Sequence, residues 1–155
     1  MLAHGIHLEP GDVNRLATTR TTICHCPGAN LKLGSGIADV ASLLEGGVRV
    51  AIGADGPPCN NRLSVFHELW LAATLPSLRH GPGAIDPWQV LAMATRTGAE
   101  ALHLEDQIGT LERGKAADLV VVDLDDWSML PGGDPAARIV FGGSAQMVRH
   151  TLVAG

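Results

Sequence analysis

The residue best placed to do chemistry is Asp55, which closes the run Val50-Ala51-Ile52-Gly53-Ala54-Asp55 just before the turn Gly56-Pro57-Pro58-Cys59-Asn60-Asn61. The apolar run predicts a buried strand, and the Gly/Pro/Asn segment predicts its end. The carboxylate then stands at the C-terminal mouth of that strand, where parallel α/β sheets carry their active sites. There it can serve as metal ligand, general base or both; a turn-stabilising aspartate is the alternative reading. His4 lies in an earlier apolar segment, Leu2 to Leu8, and its imidazole can donate or accept a proton. His7 stands three positions further on, so a regular strand points the two rings to opposite faces. They cannot chelate one metal from such a strand, and His7 reads as a structural or supporting residue.

His25 ends a second β-prone segment, Thr21 to Cys26, at Pro27-Gly28. It can line a pocket or hold a loop by a hydrogen bond, with no metal role assigned. Cys24 and Cys26 alternate away from it and read as small buried hydrophobes, because they lack the paired spacing of zinc sites. Asn30, Lys32 and Ser35 follow in an expected loop, where substrate contacts concentrate. Asn60 and Asn61 either order the turn after Asp55 or touch a neighbouring loop. His67 and Glu68 read as a solvated or interface face, and Trp70 as core. His80, His103 and His150 have no constellation around them.

The elements that must position these residues follow from periodicity. Val13, Leu16 and Ala17 suggest a short helix face after the break at Glu9-Pro10-Gly11-Asp12. Ile37, Val40, Leu43 and Leu44 keep a helical period that Gly46-Gly47 stop. Three strands, ending near Leu8, Cys26 and Asp55, thus alternate with helices as in a parallel βα array. Leu63, Phe66, Leu69, Trp70 and Ala73 form another helical stripe. Asp86-Pro87-Trp88-Gln89 has the form of a capped helix start. That helix is expected to reach about Gly98, with a shorter one over Ala99 to Leu104. From Gly109 the character changes. Ala117 to Leu124, Ile139 to Phe141 and Val148 to Val153 read as strands with no helix among them, so a boundary is placed near residue 108.

Composition limits what this framework can be. The chain has 155 residues, 46% hydrophobic but only 3% aromatic, so aliphatic side chains and alanine must fill its core. A formal net charge of −5 without a basic cluster argues against nucleic acid as a partner. No apolar run has the length of a membrane span. No signal peptide precedes the first motif, and three cysteines make an odd number with no framework spacing. A reduced, cytoplasmic protein is the expectation.

Four segments together resemble the amidohydrolase superfamily, and more narrowly its aminohydrolase branch of methylthioadenosine/S-adenosylhomocysteine deaminases, guanine deaminases and triazine chlorohydrolases. They are Ala3 to Leu8; His25-Cys26-Pro27-Gly28-Ala29-Asn30-Leu31-Lys32-Leu33-Gly34-Ser35-Gly36; Gly53 to Gly56 with Asn60-Asn61; and Gly109 to Val120. Their order and spacing match the later part of such enzymes across essentially the whole chain. The resemblance implies an α/β fold, the C-terminal part of a (β/α)8 barrel (strands six to eight over residues 1–108), followed by part of a small β-sandwich over 109–155. The family's His-x-His pair of strand one, its strand-five histidine and the nearby glutamate have no counterpart here. The expectation is therefore a C-terminal fragment, inactive alone, that associates with itself or with the missing barrel part.

In such enzymes a divalent metal lowers the pKa of a water, which attacks an amidine-like ring carbon while ammonia leaves. By resemblance, Asp55 binds the metal and takes a proton, His4 is catalytic, and His25 and Asn30 contact substrate. One divalent ion is implied, zinc foremost and iron as the alternative. The substrate implied is a small molecule, an amino-substituted purine or its nucleoside. Guanine or 8-oxoguanine deamination and triazine dechlorination remain open, as does an inert fragment or interaction module.

Overall fold

The computed structural model describes residues 1–155 as two sheets surrounded by helices. The first sheet has three parallel strands in the order β1-β2-β3: β1 (Leu2–Ala3), β2 (Thr22–His25) and β3 (Arg49–Ile52). In register, Leu2 faces Ile23, and Ile23 in turn faces Val50. The ladder continues past the strand ends, where His4 N–H donates to Cys24 O (2.8 Å) and Gly53 N–H to His25 O (2.9 Å). The strands are shorter than the apolar runs that announce them. The backbone turns to positive φ at His4 (70°) and Asp55 (62°), which strands do not tolerate.

The connections are helical. α1 (Pro10–Thr18) links β1 to β2, and α2 (Pro27–Leu33) and α3 (Val40–Glu45) link β2 to β3. Beyond β3 come α4 (Val65–Thr74), the short α5 (Ser77–His80), α6 (Pro87–Ala94) and α7 (Arg96–Ala101). Asp86 caps α6 as its sequence announces, with a reciprocal bond from Asp86 N–H to the Gln89 side chain. The helix ends at Ala94 and restarts at Arg96, because Thr95 leaves helical geometry (φ −122°, ψ −93°). The expected continuation to Gly98 is thus corrected.

One core joins these layers. Ile23 and Val50 from the sheet pack with Val40 and Leu43 of α3, Leu69 of α4, and Val90 and Met93 of α6. Alternation along a strand makes the opposite face the one that carries Cys24.

The second sheet is the antiparallel pair β4 (Leu119–Val122) and β5 (Val148–Leu152), with a bulge at Val121/Val122. Between them lies α8 (Pro135–Gly142), where a strand over Ile139 to Phe141 was expected. Asp134 caps α8 by accepting from Ala137 N–H at 2.9 Å, and Pro135 occupies its first turn. α8 packs on α4 and α6 and contributes Val140 to the core. Residue 108 thus separates the two sheets but not the hydrophobic core. No helix is long and apolar enough to cross a membrane.

Candidate functional site

His4, the residue after β1, and Asp55, three residues beyond β3, meet past the C-terminal edge of the parallel sheet. His4 Nε2 lies 3.9 Å from Asp55 Oδ2, with both side chains about one-third exposed (39% and 31%). Both residues hold positive φ, a conformation that costs energy in L-residues and gathers at functional sites. They line a cleft of about 590 Å³ together with His7, Asn30 and Ser35.

Asn30 sets the state of His4. Its carbonyl oxygen Oδ1 lies 2.8 Å from His4 Nδ1. A carbonyl oxygen can only accept, so Nδ1 donates, and in the neutral ring Nε2 carries the lone pair. That lone pair faces a carboxylate oxygen. Two acceptors facing one another are arranged to share a proton or a cation. The other Asp55 oxygen, Oδ1, accepts from Gly56 N–H at 2.8 Å, leaving Oδ2 toward His4. The donor chemistry therefore fits Asp55 as one oxygen ligand to a divalent ion. No group of three His, Cys, Asp or Glu side chains converges anywhere in the chain, so any such ion takes further donors from elsewhere.

A buried polar network fixes the turn that carries Asp55. Glu68, on α4, is fully buried and accepts from Gly28 N–H (2.8 Å) and from the Asn60 amide (2.7 Å). The same Asn60 amide donates to Ala54 O at 2.9 Å, one residue before Asp55. Glycine is required at position 28, since a Cβ there would lie 2.4 Å from Glu68 Oε1. Lys32 ties the turn from outside by donating to Pro58 O and Asn61 Oδ1, each at 2.6 Å. Glu68, expected on a solvated face, is thus a central buried residue. Trp70, expected in the core, is 44% exposed and stacks on His67 with centroids 6.5 Å apart. The buried face of α4 is formed by Glu68, Leu69, Leu71, Ala72 and Ala73.

Other expected residues are placed differently. Asn30 and Lys32 lie on α2 rather than in a loop. His7 is exposed at the cleft rim. His25 is only 1% exposed, and its Nδ1 has no hydrogen-bond partner. Burial, with a smaller contribution from the charge of His4, pushes its pKa down to about 4. His25 is not among the residues that line the cleft. Cys24 and Cys26 are free thiols with sulfurs 3.9 Å apart. The hydrogen bond from Cys26, helped by the nearby charge of His4, lowers Cys24 to about 7 against the opposing effect of burial. Cys26 is shifted the other way by that same bond and by burial.

Comparison with known proteins places this geometry in context. The sequence matches the amidohydrolase family over residues 1–155. It is 40% identical over 158 residues to a 5-methylthioadenosine/S-adenosylhomocysteine deaminase of Teredinibacter turnerae, covering 99% of this chain and 36% of that protein. The chain thus spans about a third of the length of the curated relatives it matches. Its fold superimposes with a TM-score of 0.94 on an adenosine deaminase from Xanthomonas campestris with bound zinc, at 34% identity, covering 99% of this chain and 35% of that one. An atrazine chlorohydrolase from Arthrobacter aurescens complexed with zinc gives a TM-score of 0.88 at 28% identity, with 99% and 34% covered.

Proposed function

Starting from the premise that the chain belongs to the amidohydrolase family, we propose that it forms part of a metal-dependent hydrolase that removes ammonia from an amino-substituted purine nucleoside. Methylthioadenosine and S-adenosylhomocysteine are the first candidates, because 40% identity runs along the whole chain to a deaminase named for them. On this reading β1, β2 and β3 are strands six, seven and eight of a (β/α)8 barrel. The hairpin of β4 and β5 is then this chain's share of a small β-sandwich.

The observation that carries the proposal is the meeting of His4 Nε2 and Asp55 Oδ2 at 3.9 Å beside a cleft, with Asn30 fixing the imidazole. Asp55 would supply one oxygen ligand to a divalent ion, zinc by analogy with the zinc-bound structural relatives. When bound, such an ion activates water for attack on an electrophilic ring carbon. The remaining donors would lie outside these 155 residues. Asp55 Oδ2 is free to accept the proton that the attacking water gives up and to return it to the departing nitrogen. His4, held as the Nδ1–H tautomer, offers Nε2 to hydrogen-bond the attacking oxygen or to share its proton. The Glu68–Asn60 network keeps the Asp55 turn from drifting, and small errors in placement are costly in catalysis.

The test is ammonia release from methylthioadenosine and S-adenosylhomocysteine by the product of the extended reading frame. We expect turnover there, none from the 155-residue chain alone, and a loss of roughly 10²–10⁴-fold in His4→Ala. Asp55→Asn should remove both activity and bound metal. Wild-type turnover in Asp55→Asn would end the proposal. Ammonia from guanine, or chloride from a chlorotriazine, would move it to the neighbouring substrate classes. Turnover on none of these substrates would leave a binding module.

A further inference from the structure

We propose that Cys24 and Cys26 form a two-thiolate clamp for a soft divalent cation of the zinc and cadmium class, on the side of the parallel sheet that faces away from the helical core. This does not depend on the hydrolase reading. Cys24 lies in β2, and Cys26 is the residue between the end of that strand and the start of α2. Their sulfurs lie 3.9 Å apart, and neither is in a disulfide. Cys24 is half-buried and lines a cavity of about 580 Å³ between the sheet, α7 and β4. Cys26 is 3% exposed.

The adjoining strand is shaped around the pair. Gly53 follows β3, and a Cβ at that position would lie 2.5 Å from Cys24 Sγ and 3.1 Å from Cys26 Sγ. Any larger residue would displace both sulfurs. The absence of a side chain at position 53 thus leaves room for both thiols.

That spacing fits a metal better than a disulfide. Two metal–sulfur bonds of about 2.3 Å at a tetrahedral angle put the sulfurs about 3.8 Å apart. A disulfide requires about 2.05 Å and a large movement of a strand held on both sides. Thiolates select soft cations of this class over magnesium or calcium. On binding, each thiol loses its proton to solvent as its sulfur–metal bond forms, and no electrons change hands. With no third His, Cys, Asp or Glu converging, water completes the coordination. The site is then an exchangeable one rather than a closed structural centre.

The test is titration of the reduced 155-residue chain with cadmium chloride, followed by sulfur-to-cadmium charge-transfer absorption and native mass spectrometry. We expect one cadmium per chain, at the mass of the complex minus two protons. Affinity should fall at least tenfold in Cys24→Ser and in Cys26→Ser and stay unchanged in Cys59→Ser. Undiminished binding in either of the first two variants, loss in Cys59→Ser, or absence of the charge-transfer band overturns the proposal. Should Cys26→Ser fail to fold by circular dichroism, the cadmium-113 resonance of the wild-type complex decides the matter. Two sulfur ligands support the clamp, and one or none overturns it.

Discussion

At the scale of single residues, the site is governed by who satisfies whom. Glu68 carries two buried donors, Gly28 N–H and the Asn60 amide, while that same amide also reaches Ala54 O. Glu68→Ala leaves these donors unpaired in a dry environment. The expected cost is about 3 kcal/mol, read as a lower urea midpoint at unchanged m-value. Glu68→Gln keeps an acceptor and should cost less. His25 makes an acid-sensitive element of the same region. Its folded pKa is depressed from 6.5 to about 4, so the neutral ring is the one the fold accepts. The stability it supports is complete above pH 6.5 and is lost as pH falls toward 4. The loss amounts to about 3 kcal/mol once both states are protonated. Urea midpoints measured across pH 7 to 4 should show this decline, and His25→Gln should flatten it.

At the scale of elements, capping chemistry was legible where hydrophobic pattern was not. Asp86-Pro87 and Asp134-Pro135 are the same signal, an acidic N-cap before a first-turn proline, and each opens a helix. The second was missed because Ile139, Val140 and Phe141 are apolar and β-prone, and a short apolar run cannot distinguish strand from helix. Asp86→Ala removes the bond to Trp88 N–H and half of the reciprocal box. It should destabilise the protein by about 1 kcal/mol, visible as a small drop in Tm. α7 shows the limit of periodicity. The pattern runs on through Thr95, but the chain breaks there to lay α7 against β3. The strands, by contrast, were found in the right order and number for the first sheet. β1 ended early because His4 leaves extended geometry, and β3 stopped at Ile52, three residues before Asp55.

At the scale of the whole molecule, the parallel sheet has only three strands, and the side that carries Cys24 is only partly covered, by α7 and β4. Leu102 (58% exposed) and Leu111 (80%) line the apolar cavity beneath it. Open strand edges and an apolar concavity favour pairing with another surface. The chain on its own should therefore associate with rising concentration in sedimentation velocity, and Leu111→Glu should weaken that association. A strictly monomeric chain at every concentration would contradict this view.

What the sequence determined by itself was local. It specified the strand that delivers Asp55, the segment that delivers His4, the order of the first three strands, and the α6 cap. These rest on short-range chemistry: alternation, turn residues and N-caps. Tertiary structure alone decided which side chains would meet. It buried His25, turned Trp70 outward, brought Asn30 to His4 and buried Glu68 beside the Asp55 turn. A carboxylate on a helix looks solvated in sequence because its partners, Gly28 and Asn60, come from two other segments of the chain. Only the packing of α4 against α2 brings a charge and its donors into one dry space.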